Sequence, residues 1–343
     1  MISIKKVGII GEGKMGTSIF FYLLDFQFEL VWFCSQDADI EKLTRQLERR
    51  IRRLFDSGSI DQARYDKLIQ TSITTDIDKL QDCDLIIEAI PEDIAEKKKL
   101  FHQLDKIVNP EAIFTSNSSS INPSCMMPKT AGNRQFAGIH FFYPVPLKDI
   151  AEVTLASSTT ALTCTIIESF LNTIHRRYII LDEQNSFILN KIFLDFQNEA
   201  FLFVHNETCT YYQMDQLVKN NFFPFGVFDF CDSVGLDTML ASIQNYSRDY
   251  PDKSNYALFI ARLTDLVAAG KSGVKTLQGF YSYPMEDITS NDPEHALEII
   301  EHLRQTWLSS CERFTALSSV ATDRMNHAIK EYFGIEHGPF EKC

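Results

Sequence analysis

Lys6-Val7-Gly8-Ile9-Ile10-Gly11-Glu12-Gly13-Lys14-Met15-Gly16 joins a short apolar run to three glycines spaced G-x-G-x-x-G. The run predicts a buried strand, Met15 to Leu24 a helix, and Glu29 to Phe33 a second strand. A glycine loop between a strand and a helix reads as a phosphate cradle. Gly11 permits the tight turn, Gly13 lets the backbone approach a pyrophosphate, and Gly16 lets helix and strand pack closely; Lys14 and Met15 count with them as cofactor-binding residues. The unpaired N–H groups and positive dipole of a helix N-terminus suit the anion. The competing reading is a glycine turn with a structural role only.

The alternation continues downstream. Asp39 to Phe55 and Ala95 to Val108 predict helices, the latter stopped at Asn109-Pro110. Leu85 to Ala89, Ile113 to Thr115, Phe136 to His140 and Tyr178 to Leu181 predict strands. The expectation is an α/β domain over residues 1–183, with a Rossmann-like, doubly wound, mostly parallel sheet. After Asp182 the pattern turns helical: Phe187 to Val204, Met214 to Asn221 and Ala257 to Ala269 predict an all-helical second domain over 184–284. Residues 285–343 read as a helical extension. Within it, MNHAIKEYFGIEHGPFE (325–341) echoes MDQLVKNNFFPFGVFD (214–229), which predicts a partial repeat of the helical domain, with coincidence between two amphipathic helices as the alternative.

Bulk properties narrow the function. The chain has 343 residues and a formal net charge of -13, so a nucleic-acid-binding role for the whole chain is disfavoured. No apolar run approaches the roughly 20 residues of a membrane span. No signal peptide is evident, because Lys5-Lys6 precede a very short apolar run. The eight cysteines form no Cys-x-x-Cys, so neither a metal site nor a disulfide framework is expected, and a cytoplasmic location is the simplest reading.

The second strand should end on an acid that binds the ribose hydroxyls of a dinucleotide. That slot holds Cys34, followed by Ser35 and Gln36; Asp37 is a substitute if the loop curls back. No Lys or Arg follows until Lys42, so a 2′-phosphate lacks an obvious partner. NAD is the expected cofactor, with NADP left open.

Further motifs coincide in order and spacing. Glu88-Ala89-Ile90-Pro91-Glu92-Asp93 and Ser116-Asn117-Ser118-Ser119-Ser120 each end a strand; Gly138-Ile139-His140-Phe141-Phe142-Tyr143-Pro144-Val145-Pro146, Glu152, Phe187-Ile188-Leu189-Asn190, Gly235-Leu236-Asp237, Lys275-Thr276 and Gly279-Phe280-Tyr281 follow. Over residues 4–284 this series resembles the 3-hydroxyacyl-CoA dehydrogenase family, which includes 3-hydroxybutyryl-CoA dehydrogenases. The resemblance implies that His140 is the catalytic base, Glu152 its carboxylate partner, Ser119 the serine near the substrate oxygen and Asn190 the active-site asparagine. It implies cofactor contacts from Glu92, Lys97, Ser119 and Lys275, and places Cys34 and Tyr143 at cofactor-side positions. It also implies an acyl-CoA substrate and a homodimer formed through the helical domain. Three positions depart from the family pattern: Cys34 replaces an aspartate, Tyr143 an asparagine, and Asn185-Ser186 a Pro-Gly pair.

The residue types suit the chemistry. Oxidising a secondary alcohol removes a hydroxyl proton, a task for an imidazole. Glu152 lies across the Pro144-Val145-Pro146 turn from His140, and a turn there folds the acid back onto the ring. Ser119 and Asn190 can donate hydrogen bonds to the substrate oxygen. Arg49, Arg50 and Arg53, with Arg45 and Arg52 on the same predicted helix, suit CoA phosphates, or equally an exposed helix paired with Glu41 and Glu48. Singly, each residue has a plainer reading: His140 in a strand core, Ser119 in a turn, Asn190 as a satisfied buried amide, Lys97 and Lys275 as surface charges. Two functional alternatives stand beside the acyl-CoA dehydrogenase: a dehydrogenase of a free hydroxy acid, and a binding or structural homologue with weakened catalysis.

Overall fold

The computed structural model describes residues 4–127, 134–246, 253–285 and 291–341; of the extension, residues 286–290, 342 and 343 lie outside this set. The chain forms two compact units that divide between Ser186 and Phe187.

In the first unit, strands β1 (Lys6–Ile10), β2 (Glu29–Phe33), β3 (Ser72–Thr74), β4 (Leu85–Glu88), β5 (Ile113–Ser116), β6 (Phe136–Phe141), β7 (Ala151–Leu155) and β8 (Tyr178–Asp182) make one sheet, ordered β3-β2-β1-β4-β5-β6-β7-β8. The first six are parallel; β7 runs antiparallel to β6, and β8 parallel to β7. This is the doubly wound, mostly parallel sheet expected from the sequence. Two strands carry no clear sequence signal. β3 is a three-residue, half-buried edge strand, and β7 carries a buried acid, Glu152, in its middle.

The helices are α1 (Lys14–Leu23), α2 (Ile40–Asp56), α3 (Gln62–Leu68), α4 (Ile94–Ile107), α5 (Pro123–Met126) and α6 (Ala161–Thr173). Alternate strand residues feed opposite faces. Val7, Ile9, Leu85, Ile87 and Ile139 pack with Ile19, Phe20 and Leu23 of α1, Leu47 and Ile51 of α2, and Ile166 to Leu171 of α6. Ile10, Ile86, Phe114 and Phe136 pack with Leu100, Phe101 and Leu104 of α4. Strand order reverses between β1 and β4, and in open sheets of this kind ligands bind there, beyond the strands' carboxyl ends.

The second unit contains α7 (Ile188–His205), α8 (Tyr211–Asn221), α9 (Val227–Val234), α10 (Leu236–Tyr246), α11 (Ala257–Ala268), α12 (Ala296–Ser318) and α13 (Thr322–Phe333). The extension is not a loose appendage: α12 lies along α7, and Phe333 of α13 is fully buried against Phe193 and Phe223. Asp195 of α7 accepts hydrogen bonds from Ser310 and Arg313 of α12 and from Tyr256.

The two echoing stretches make matching interactions. Asp215 accepts a bond from the Phe228 N–H at 2.9 Å, and Asn326 from the Phe340 N–H at 3.1 Å. Lys219 pairs with Asp229, and Lys330 with Glu341. Gly226 lies against Asp215, and Gly338 against Asn326. A left-handed residue, Glu207 or Ser319, follows the preceding long helix in each case.

Two predictions follow from this packing. Phe333→Ala should lower the stability of the helical unit by about 3–5 kcal/mol in denaturant titration, as for a buried aromatic truncated to alanine; a loss below about 1 kcal/mol would show that α13 is not part of that core. Burial pushes the Asp215 carboxyl up to about 6, although the Phe228 and Asp229 N–H groups and the Tyr281 hydroxyl favour its charged form. A folded-state value above the unfolded one favours the fold at low pH, and that contribution fades as pH rises from about 4 through about 6. Melting temperatures across that window should show a falling component that is missing from Asp215→Asn.

Candidate active site

Backbone geometry fixes the glycine loop. Gly11 holds φ +106°, and a Cβ there would lie 2.7 Å from the Ala89 carbonyl oxygen. A Cβ on Gly16 would overlap the Gly11 carbonyl, so the loop and α1 can touch only without it. Gly13 faces open space. The loop is tied to β2 by the Gly11 N–H to Phe33 carbonyl bond at 3.0 Å and the Trp32 indole N–H to Gly11 carbonyl bond at 2.9 Å. The N-terminus of α1 has no side-chain cap and no acidic residue in its first turn. Uncapped N–H groups beside an unobstructed glycine fit a dinucleotide's pyrophosphate. Lys14 is exposed and Met15 half-buried at this terminus.

The serine-rich turn after β5 rests on a buried polar network. Glu88, at the end of β4, is fully buried; it accepts bonds from the Ile90 N–H at 2.7 Å, the Lys97 ammonium at 2.6 Å and the Ser116 hydroxyl at 2.5 Å. Glu92 accepts from the Ser118 hydroxyl, from the Ser119 and Ser120 N–H groups, and from the Ser120 hydroxyl, at 2.5–3.1 Å. Lys97 lies 3.4 Å from Glu92 and bridges the two acids. Burial alone would raise the Glu92 carboxyl; Lys97 and the serine hydrogen bonds outweigh it and hold it below its ordinary value. Glu92 and Lys97 therefore act at least as the scaffold of the turn carrying Ser119. Glu88 was not singled out from sequence, although an acid closing the apolar run Leu85-Ile86-Ile87 was the available signal.

β6 and β7 bring together the two residues expected to form an acid/base pair. Their antiparallel register puts His140 directly opposite Glu152, and the His140 Nδ1 lies 2.9 Å from a Glu152 carboxylate oxygen. Glu152 is fully buried and His140 nearly so. The expected fold-back is thus made by a cross-strand pair, with the Pro144-Val145-Pro146 segment as the connection. The Ser18 hydroxyl of α1 accepts from the Val145 N–H at 3.0 Å, and Arg176 donates to the Val145 carbonyl at 2.8 Å. Directly after β5, the Asn117 side chain accepts from the Phe141 N–H at 2.8 Å, which ties the serine turn to the histidine strand.

Other expected residues fall as follows. Cys34 is buried; its thiol points at the Trp32 carbonyl, and burial pushes it up to about 12. Tyr143 is exposed. Asn185 bonds to Asp182, and Ser186 donates to the Asn122 side chain, closing the turn after β8. Arg49, Arg50 and Arg53 lie on the exposed face of α2; Arg50 pairs with Asp25, and Arg45 with Glu41, while Arg49 and Arg53 make no ion pair among the described residues. In the helical unit, Asn190 donates to the Tyr246 hydroxyl at 2.8 Å and accepts from the Tyr332 hydroxyl at 2.9 Å. Lys275 pairs with Asp237 at 2.5 Å. Among the described residues no helix is long and apolar enough to cross a membrane, and no cluster of three or more His, Cys, Asp or Glu side chains could hold a metal ion.

Residues 6–184 match the NAD binding domain of 3-hydroxyacyl-CoA dehydrogenase, and residues 187–283 match that enzyme's C-terminal domain. The chain belongs to the 3-hydroxyacyl-CoA dehydrogenase family. Its first unit is accordingly an NAD-binding domain. A 3-hydroxybutyryl-CoA dehydrogenase of Bradyrhizobium diazoefficiens is 30% identical over 290 residues, covering 82% of this chain and 96% of that protein. The crystal structure of an (S)-3-hydroxybutyryl-CoA dehydrogenase from Ralstonia eutropha is similar with a TM-score of 0.72 and 29% identity, over 82% of this chain and 100% of that one. A 3-hydroxybutyryl-CoA dehydrogenase structure from Escherichia coli, 16% identical, shares the fold over 99% of this chain and 91% of that one, with a TM-score of 0.80.

The buried network makes a definite prediction. Lys97→Met should destabilise the first unit by about 3–5 kcal/mol, because Glu88 and Glu92 then lack their cation in a buried site. Since Glu92 lies below its ordinary 4.5, its stabilising contribution is complete above that value and lost as pH falls through the lowered one. Unchanged stability in denaturant titration at pH 7 would contradict the assignment.

Proposed function

We propose that the chain interconverts a 3-hydroxyacyl-CoA and a 3-oxoacyl-CoA, with His140 as the acid/base. The observation that carries this reading is the His140 Nδ1 contact with the buried Glu152 carboxylate. On this reading Nε2 is the atom that exchanges a proton with the substrate hydroxyl. NAD, when bound, supplies the hydride acceptor at the substrate's C3. His140 takes the hydroxyl proton as the carbonyl forms, and Glu152 stabilises the imidazolium. In the reverse direction His140 returns the proton to the oxygen. Ser119 and Asn190 are proposed as hydrogen-bond donors to that oxygen. Tyr332 donates to the Asn190 carbonyl oxygen and the Asn190 NH₂ donates to the Tyr246 hydroxyl, so the two tyrosines fix the orientation of the amide.

The loop residues Gly11, Gly13, Lys14, Met15 and Gly16 are proposed to hold the pyrophosphate, with Glu92, Lys97, Ser119, Tyr143 and Lys275 on the cofactor side. Arg49, Arg50 and Arg53 are proposed to receive CoA phosphates, a role guanidinium groups suit by bidentate hydrogen bonding. A cytoplasmic homodimer joined through the helical unit is the proposed assembly, checked by sedimentation. Residues 184–284 are read as the helical domain and 285–343 as a helical extension that partly repeats it, supported by the paired interactions of Asp215 with Phe228 and Asn326 with Phe340.

The test is NADH oxidation with acetoacetyl-CoA, followed by absorbance. The wild-type chain should turn over, and His140→Ala should lose about a hundredfold or more of kcat while its melting curve persists. Arg49→Ala with Arg53→Ala should raise KM and leave kcat. Turnover of free acetoacetate but not its CoA thioester would contradict the substrate class. Full activity in His140→Ala would contradict the mechanism.

A further inference from the structure

We propose that Glu12, in the glycine loop, is the carboxylate that receives the adenosine ribose of NAD and sets the preference for NAD over NADP. The inference rests on the NAD-binding reading of the first unit and assigns a residue within it. In dinucleotide-binding sheets an acid at the end of β2 accepts the ribose hydroxyls. Cys34 occupies that position and does not do so: its side chain is buried, and its thiol faces the Trp32 carbonyl.

The acid arrives from the facing loop. The Ser35 hydroxyl donates to one Glu12 carboxylate oxygen at 2.5 Å, and the Ser35 N–H donates to the other at 3.1 Å. Ser35 directly follows Cys34, so this carboxylate stands at the carboxyl end of β2, one residue beyond the usual place. It also stands beside the phosphate cradle, because Glu12 lies between Gly11 and Gly13 and the Gly11 N–H is bonded to the Phe33 carbonyl. A ribose joined to a pyrophosphate at Gly13 must lie in this neighbourhood. An ionised carboxylate has about four lone-pair sites, and Ser35 uses two of them.

The same placement opposes NADP. A 2′-phosphate would meet the Glu12 charge, and the stretch from Cys34 to Glu41 contains no Lys or Arg to offset it but includes Asp37 and Asp39. Lys42, the first cation beyond, has its backbone N–H capped by the Asp39 side chain at 2.9 Å.

The experiment is calorimetric titration of the full-length protein with NAD and, separately, NADP. The variants are Glu12→Gln and Asp37→Asn, with melting curves recorded for each. The wild-type chain should bind NAD more tightly than NADP. Glu12→Gln should weaken NAD by about tenfold or more and narrow the NAD/NADP ratio, as expected for lost hydrogen bonds to a charged acceptor. Asp37→Asn should leave both unchanged. Unchanged NAD affinity and ratio in Glu12→Gln, or a loss that appears in Asp37→Asn instead, overturns the role of Glu12 while NAD binding stands. A wild-type chain that binds neither nucleotide overturns both.

Discussion

One cross-strand register underlies the site. β7 runs back along β6 so that Glu152 falls opposite His140, with Ile139 opposite Val153 on the other face of the sheet. A shift of one residue would send the carboxylate to the opposite face, into the apolar layer. The apolar neighbours Ile139 and Val153 thus enforce the pairing as much as the polar groups do. A buried acid is costly without a partner. The imidazole is that partner for Glu152, and the acid in turn fixes one ring nitrogen. On the proposed mechanism, stability and chemistry depend on the same contact.

Similar logic governs the two loops that follow β1 and β5 in the first unit. The serine turn is held by Glu92 and by the Glu88–Lys97 pair, and the glycine loop by the Gly11 N–H bond to Phe33 and the Trp32 indole bond to Gly11. Both lie at carboxyl ends of parallel strands around the point where strand order reverses. The apolar sheet and α4 supply rigidity, and the polar groups at its edge are aimed by fixed partners rather than by solvent. Preorganisation of this kind lets a site stabilise charge without rearranging.

Much of this was legible in the sequence, for definable reasons. β1, β4 and β5 are apolar runs between turn residues, and the glycine loop has a strand before it and a helix after. The His140–Glu152 relation was visible as spacing, but β7 was not, because an acid inside Ala-Glu-Val-Thr-Leu breaks the pattern of a buried strand. Cys34 signalled a missing acid, but the Glu12 contact with Ser35, which joins two loops across 23 positions, was not visible in the sequence. The echo between residues 214–229 and 325–341 was visible as composition. Its matching Asp215–Phe228 and Asn326–Phe340 bonds needed coordinates, as did the Tyr332 contact with Asn190, which spans 142 positions.

The claim on which the account turns is the direction in which the imidazole is held. Long-range proton–nitrogen NMR on histidine-labelled protein, at a pH where the ring is neutral, reads the tautomer of His140 directly. The account predicts the proton on Nδ1, facing Glu152, with Nε2 unprotonated and able to act as base. A His140 ring protonated on Nε2 instead would contradict it.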